Sequence, residues 1–97
     1  MRYEITLAPE AAHDLKRFSA HLRAEVQDAI ERHLRHEPTK TSRGRIKRLR
    51  GLSKPQYRLR VGEVRVFYDV WNASVEVLAV VRKSVADEWL KQAGEST

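Results

Sequence analysis

The chain has no cysteine. Disulfides and thiolate metal sites are therefore excluded, and the composition suits a reducing cytoplasm. Glycine is scarce: the four are Gly44, Gly51, Gly62 and Gly94, and they form no phosphate-binding loop. No apolar run approaches the roughly 18 residues of a membrane span. The N-terminus, Met1-Arg2-Tyr3-Glu4-Ile5, lacks the apolar core and cleavage site of a secretory signal, so nothing marks the chain for export. Internal repeats are absent too.

Acid is missing from one stretch. Pro38 to Gly62 contains no Asp or Glu, yet holds nine basic residues: Lys40, Arg43, Arg45, Lys47, Arg48, Arg50, Lys54, Arg58 and Arg60. The chain has 19 basic and 13 acidic residues, so the remainder carries ten basic against 13 acidic groups. The net charge of +6 is thus one cationic region on a nearly neutral body. Such a patch favours a polyanion, most commonly nucleic acid.

What is present fits a single folded domain over residues 1–97. Hydrophobic residues make up 41% and charged residues 33%. Tyr3, Ile5 and Leu7 alternate with polar neighbours and predict a short strand. Pro9 suits the first position of a helix, with Glu10 in its first turn. Ser19 can cap a second helix, where Leu22, Val26, Ala29, Ile30 and Leu34 form an apolar stripe that Pro38 ends. Thr39 to Gly44 reads as a polar, cationic loop. Ile46 and Leu49 open a further strand before Gly51.

Three strands with clear alternation follow: Gln56–Val61, Val64–Trp71 and Ser74–Arg82. Gly62-Glu63 is a two-residue hairpin signal, and Asn72-Ala73 a weaker one. Ser84 with Asp87 resembles a capping box opening a last helix through Lys91, and Gly94–Thr97 is expected to fray. Helices followed by strands predict an α+β fold. A helical hairpin should pack on one face of an antiparallel sheet of about four strands, with a short C-terminal helix.

The period of two sorts the strands into two faces. With Gly62-Glu63 as the turn, Arg60 lies opposite Arg65 and Arg58 opposite Phe67. One face gathers Tyr57, Leu59, Val61, Val64, Val66, Tyr68, Val70, Val75, Val77, Ala79 and Val81 as core. The other gathers Arg58, Arg60, Arg65, Phe67, Asp69, Trp71, Glu76, Leu78, Val80 and Arg82. Opposed arginines repel, so they need water or an anion between them. Phe67 and Trp71 beside them suit base stacking or a protein partner.

The run Lys47-Arg48-Leu49-Arg50-Gly51-Leu52, then Tyr57-Arg58-Leu59-Arg60-Val61-Gly62-Glu63-Val64-Arg65-Val66-Phe67-Tyr68-Asp69-Val70, resembles the RelE/ParE superfamily of bacterial toxins from type II toxin–antitoxin systems. The order of elements matches across nearly the whole chain. The RelE branch implies a ribosome-dependent endoribonuclease that needs no metal or other cofactor. There the 2′-hydroxyl attacks the adjacent phosphate of A-site messenger RNA and leaves a 2′,3′-cyclic phosphate. By this resemblance Arg58 and Arg60 match the family's basic pair, Arg65 its central arginine, and Lys83 or Arg82 its second arginine. Trp89 falls where the family often has tyrosine; an indole donates and stacks but cannot act as a base.

The resemblance also implies partners: a cognate antitoxin docking an acidic segment, and the ribosome. Lys40, Arg43, Arg45, Lys47, Arg48, Arg50 and Lys54 suit ribosomal RNA backbone, and Trp89 and Phe67 suit base stacking. The ParE branch, which inhibits DNA gyrase by protein contact, is the other activity the resemblance leaves open, and a plain RNA-binding module is a third. All four histidines, His13, His21, His33 and His36, fall in the helical hairpin and read as surface residues.

Overall fold

The computed structural model describes residues 1–97. In chain order the elements are β1 (Glu4–Leu7), α1 (Pro9–Lys16), α2 (Ala20–Leu34), β2 (Ile46–Arg48), β3 (Leu52–Lys54), β4 (Tyr57–Val61), β5 (Val64–Trp71), β6 (Ser74–Arg82), α3 (Lys83–Ala93) and β7 (Glu95–Ser96). The α+β expectation holds. The main sheet has five strands in the order β1-β6-β5-β4-β2. β1 runs parallel to β6 and all other pairs are antiparallel, so the sheet is mixed. No helix is long and apolar enough to cross a membrane.

The helical hairpin forms for the reasons its sequence suggests. Pro9 opens α1, with Glu10 in the first turn. Ser19 caps α2 by accepting the Leu22 N–H at 3.2 Å. Arg23 then reaches back to the carbonyls of Leu15 and Phe18, both at 2.9 Å, tying the turn between the helices to α2. Ala11, Leu15, Val26, Ala29, Ile30 and Leu34 pack on one sheet face against Leu59, Val66, Tyr68, Val75 and Val77. Truncating a residue such as Leu34 to alanine should cost about 2–5 kcal/mol.

The β4–β5 register is the one the sequence predicts: Tyr57 pairs with Tyr68, Arg58 with Phe67 and Arg60 with Arg65. Gly62 has φ +56°, as a turn of the Gly-X type requires. The β5–β6 register departs from expectation halfway along. Trp71 pairs with Ser74 and Tyr68 with Val77, but Phe67 pairs with Ala79, so Leu78 is an extra residue in a bulge. The bulge reverses which side each later residue faces. Val80 enters the core opposite Val66, while Ala79 and Val81 turn away from it.

The bulged segment also has an edge to protect. β1 ends at Leu7, opposite Val77, so the rest of β6 has no strand on that side. The Asp14 carboxylate of α1 fills the gap, accepting the Val80 N–H at 2.9 Å. Asp14 is 4% exposed, and its other oxygen binds Arg17 at 2.9 Å.

Two end features also differ from expectation. Ser84 does not cap α3, because the helix already begins at Lys83 and no side chain caps it. The Lys83 N–H instead donates to the Glu63 carbonyl in the β4–β5 turn at 2.7 Å, satisfying a helix donor with a hairpin acceptor. The tail is not frayed. β7 pairs with β3, and the Thr97 N–H reaches the Gly51 carbonyl at 3.2 Å.

Candidate functional site

The cationic segment wraps one end of the sheet. The loop between α2 and β2 starts from Pro38, whose carbonyl accepts the buried Tyr68 hydroxyl at 2.6 Å. Burial pushes the Tyr68 phenol well above its usual range, so it stays a donor. From that anchor the loop crosses beside β2 and β4 and encloses an open cleft of about 660 Å³. Seven of its eleven lining residues are basic: Arg43, Lys47, Arg48, Arg50, Arg58, Arg60 and Arg65. No carboxylate lines it.

A second cavity of about 300 Å³ adjoins it beneath α3. The two share Lys47, Arg58 and Arg65. Lys83, Ala86, Asp87 and Leu90 come down from α3 to line its other wall. Helical spacing puts these four on one face, and Ala86 is buried there.

Arg65 is 9% exposed, and its Nη1 donates to the carbonyls of Gly62 at 2.7 Å and Val64 at 3.1 Å. This answers the opposed arginines. Arg65 turns to backbone oxygens, while Arg60 points outward toward Gly44 and remains exposed. Arg58 is half-buried, and its Nε is buried without a hydrogen-bond partner. Desolvation, and then the charges of Arg65 and Arg60, lower its affinity for its proton below the usual arginine range. An anion placed between Arg58 and Arg65 would relieve both the repulsion and the empty donor.

The remaining expected site residues fall in several places. Lys83 lines the second cavity, whereas Arg82, opposite Val64 after the bulge, lies on the other side of the sheet over the Phe18 ring at 5.4 Å. Arg82 thus leaves the site. Phe67 is 1% exposed and covered by Trp89, whose ring stacks on it at 4.9 Å and 10°. Phe67 therefore presents no surface for a base. The Trp89 indole N–H is also occupied, donating to Glu10 at 2.7 Å.

Arg48 lines the cleft but spends its Nη1 on the carbonyls of Leu49 at 3.0 Å and Gln56 at 2.7 Å. Lys40 pairs with Glu37 at 3.6 Å, and both Lys40 and Arg45 line a separate cavity with His33 and His36. Lys54 lies on β3, outside both walls. Asp69, expected on the outer face, accepts the Gln56 N–H at 2.7 Å and anchors the start of β4. No group of three or more His, Cys, Asp or Glu side chains gathers as a metal site.

Asp87 is the site residue that sequence reasoning missed. Its spacing from Ser84 suggests a capping box, and only the docking of α3 brings it to the cavity that Arg58 and Arg65 also line. The spacing Lys83–Asp87, one helical turn, was the available signal.

Fold and cavities together define a small α+β protein with a strongly basic concave surface between sheet, basic loop and last helix. Residues 5–86 match the family model described as ParE toxin of type II toxin–antitoxin system, parDE. The chain belongs to that family.

Solved structures with the same fold include the toxin–antitoxin complex RelBE2 from Mycobacterium tuberculosis. It has TM-score 0.68 and 22% identity, covering 84% of this chain and 99% of that one. A mutant of the E. coli toxin RelE in the free state has TM-score 0.67 and 19% identity, covering 96% and 99%. The YoeB dimer from Staphylococcus aureus has TM-score 0.60 and 21% identity, covering 84% and 97%. No curated protein matches the chain.

Proposed function

We propose that this toxin is a ribosome-dependent messenger RNA endonuclease that acts in the cytoplasm and is restrained by a cognate antitoxin. The carrying observation is the adjoining pair of cavities, where Arg58, Arg65 and Lys83 meet with an unpartnered Arg58 Nε. Guanidinium groups fork onto phosphate oxygens, and the half-buried setting strengthens that contact over one in water. Arg65 holds the scissile phosphate. Its Nη1 carbonyl contacts orient the side chain before substrate arrives.

Arg58 and Arg60 take flanking phosphates, and Lys83 serves the leaving 5′-oxygen. Arg43, Lys47 and Arg50 along the open cleft contact RNA backbone without regard to sequence. Such a site relies on position and charge, with the ribosome supplying substrate orientation. The antitoxin reading draws on the family and on the RelBE2 neighbour, which is a toxin–antitoxin complex. An acidic antitoxin segment would complement the same cleft.

The test is primer extension on messenger RNA in a translating extract, wild type against Arg65→Ala. Codon-phased cuts that vanish in the variant support the reading. The family model names ParE, which favours gyrase inhibition as the second reading. Growth arrest without cuts, unchanged by Arg65→Ala, would move the target to gyrase.

A further inference from the structure

Attack by a 2′-hydroxyl needs a proton acceptor, and the cleft contains almost none. Arginine holds its proton at any workable pH, and a charged lysine has no lone pair to offer. The Trp89 indole only donates and is already bound to Glu10. His33 and His36 line a different cavity with Glu37. Across the two cavities that meet at Arg58 and Arg65, Asp87 is the one carboxylate.

Asp87 is also uncommitted. None of the chain's four ion pairs includes it, although four cations, Lys47, Arg58, Arg65 and Lys83, share its cavity. A purely structural counter-ion would be in contact with one of them. Asp87 is instead exposed at the cavity wall, with oxygens free to accept.

Resting on the endonuclease reading, we propose that Asp87 is the general base of the cavity beneath α3, with Lys83 as its acid partner. The 2′-hydroxyl proton passes to an Asp87 oxygen as the O2′–P bond forms. The P–O5′ bond breaks, and the departing 5′-oxygen takes a proton from the Lys83 ammonium. The product is a 2′,3′-cyclic phosphate and a free 5′-hydroxyl. The enzyme is left with a protonated carboxyl and a neutral amine. These two groups lie one turn apart on the same helix face, so the proton returns from Asp87 to Lys83 and both charges are restored.

The test is single-turnover cleavage of a short messenger on programmed ribosomes by the full chain, as wild type, Asp87→Asn and Arg65→Ala. Circular dichroism checks that each variant is folded. Asp87→Asn should slow cleavage by about 100-fold or more. Its binding to a single-stranded RNA oligomer should stay equal or tighten, because a negative charge has left a cationic cleft.

Cleavage by Asp87→Asn at the wild-type rate, or a slowing explained wholly by weaker RNA binding, overturns the proposal while leaving the nuclease reading intact. A wild type that never cuts messenger overturns the reading, and the proposal with it.

Discussion

Lys83 and Arg82 are neighbours, yet replacing them should have very different effects on cleavage. The bulge at Leu78 places Arg82 opposite Val64, over the Phe18 ring at 5.4 Å. Its head is exposed there, so Arg82→Ala removes an exposed cation–π contact of about 0.5–1 kcal/mol and no cleft charge. Cleavage should stay within about twofold of wild type, since about 0.4 kcal/mol of transition-state energy is all that such a change represents. Lys83 lines the cavity with Arg58 and Arg65, so on the proposed reading Lys83→Ala removes the cation that serves the leaving oxygen. A loss of about 100- to 1,000-fold is expected, or about 3–4 kcal/mol of transition-state stabilisation. Single-turnover cleavage with saturating programmed ribosomes measures both, and thermal unfolding confirms that neither variant has lost its fold. Equal losses, or a larger loss for Arg82→Ala, would refute the reasoning, because the bulge would then not decide which side chain reaches the phosphate.

Three further outcomes are expected. Asp14→Ala strands the buried Val80 N–H and should cost about 1–3 kcal/mol in chemical denaturation; Asp14→Asn keeps an acceptor, so equal losses would count against this role. Burial, then the nearby Arg45, holds the His33 imidazole below its usual range. The unfolded chain therefore binds that proton more readily, so stability should fall as pH drops below about 6.5, and His33→Gln should flatten the slope seen in denaturant titrations. Trp89→Phe keeps a ring on Phe67 and loses only the bond to Glu10, so its midpoint should fall by a few degrees at most, while Trp89→Ala uncovers Phe67 and should lower it by roughly 10 °C or more.

Local chemistry made much of this protein legible in its sequence. Gly62 can take the positive φ of a tight hairpin, and strict alternation on either side then sets Arg58 and Arg65 on one face. Pro9, Ser19 and Pro38 bound the helical hairpin because proline and serine act within one turn of chain. The charge distribution located the cleft, since nine basic residues without an acid leave few other places for a polyanion.

Tertiary packing decided the rest. A period of two cannot foresee where one residue will be extruded, and Val80 entered the core with its N–H on Asp14, some 66 residues earlier in the chain. That one residue separated Lys83 from Arg82. The docking of α3 buried Phe67 under Trp89 and brought Asp87 to the second cavity, and neither placement is encoded by a spacing within its own segment. Composition and local spacing settled which residue types were available near the cavities. Only long-range packing chose which of them share a cavity, because facing, burial and free hydrogen-bonding capacity are properties of neighbours that sequence distance does not record.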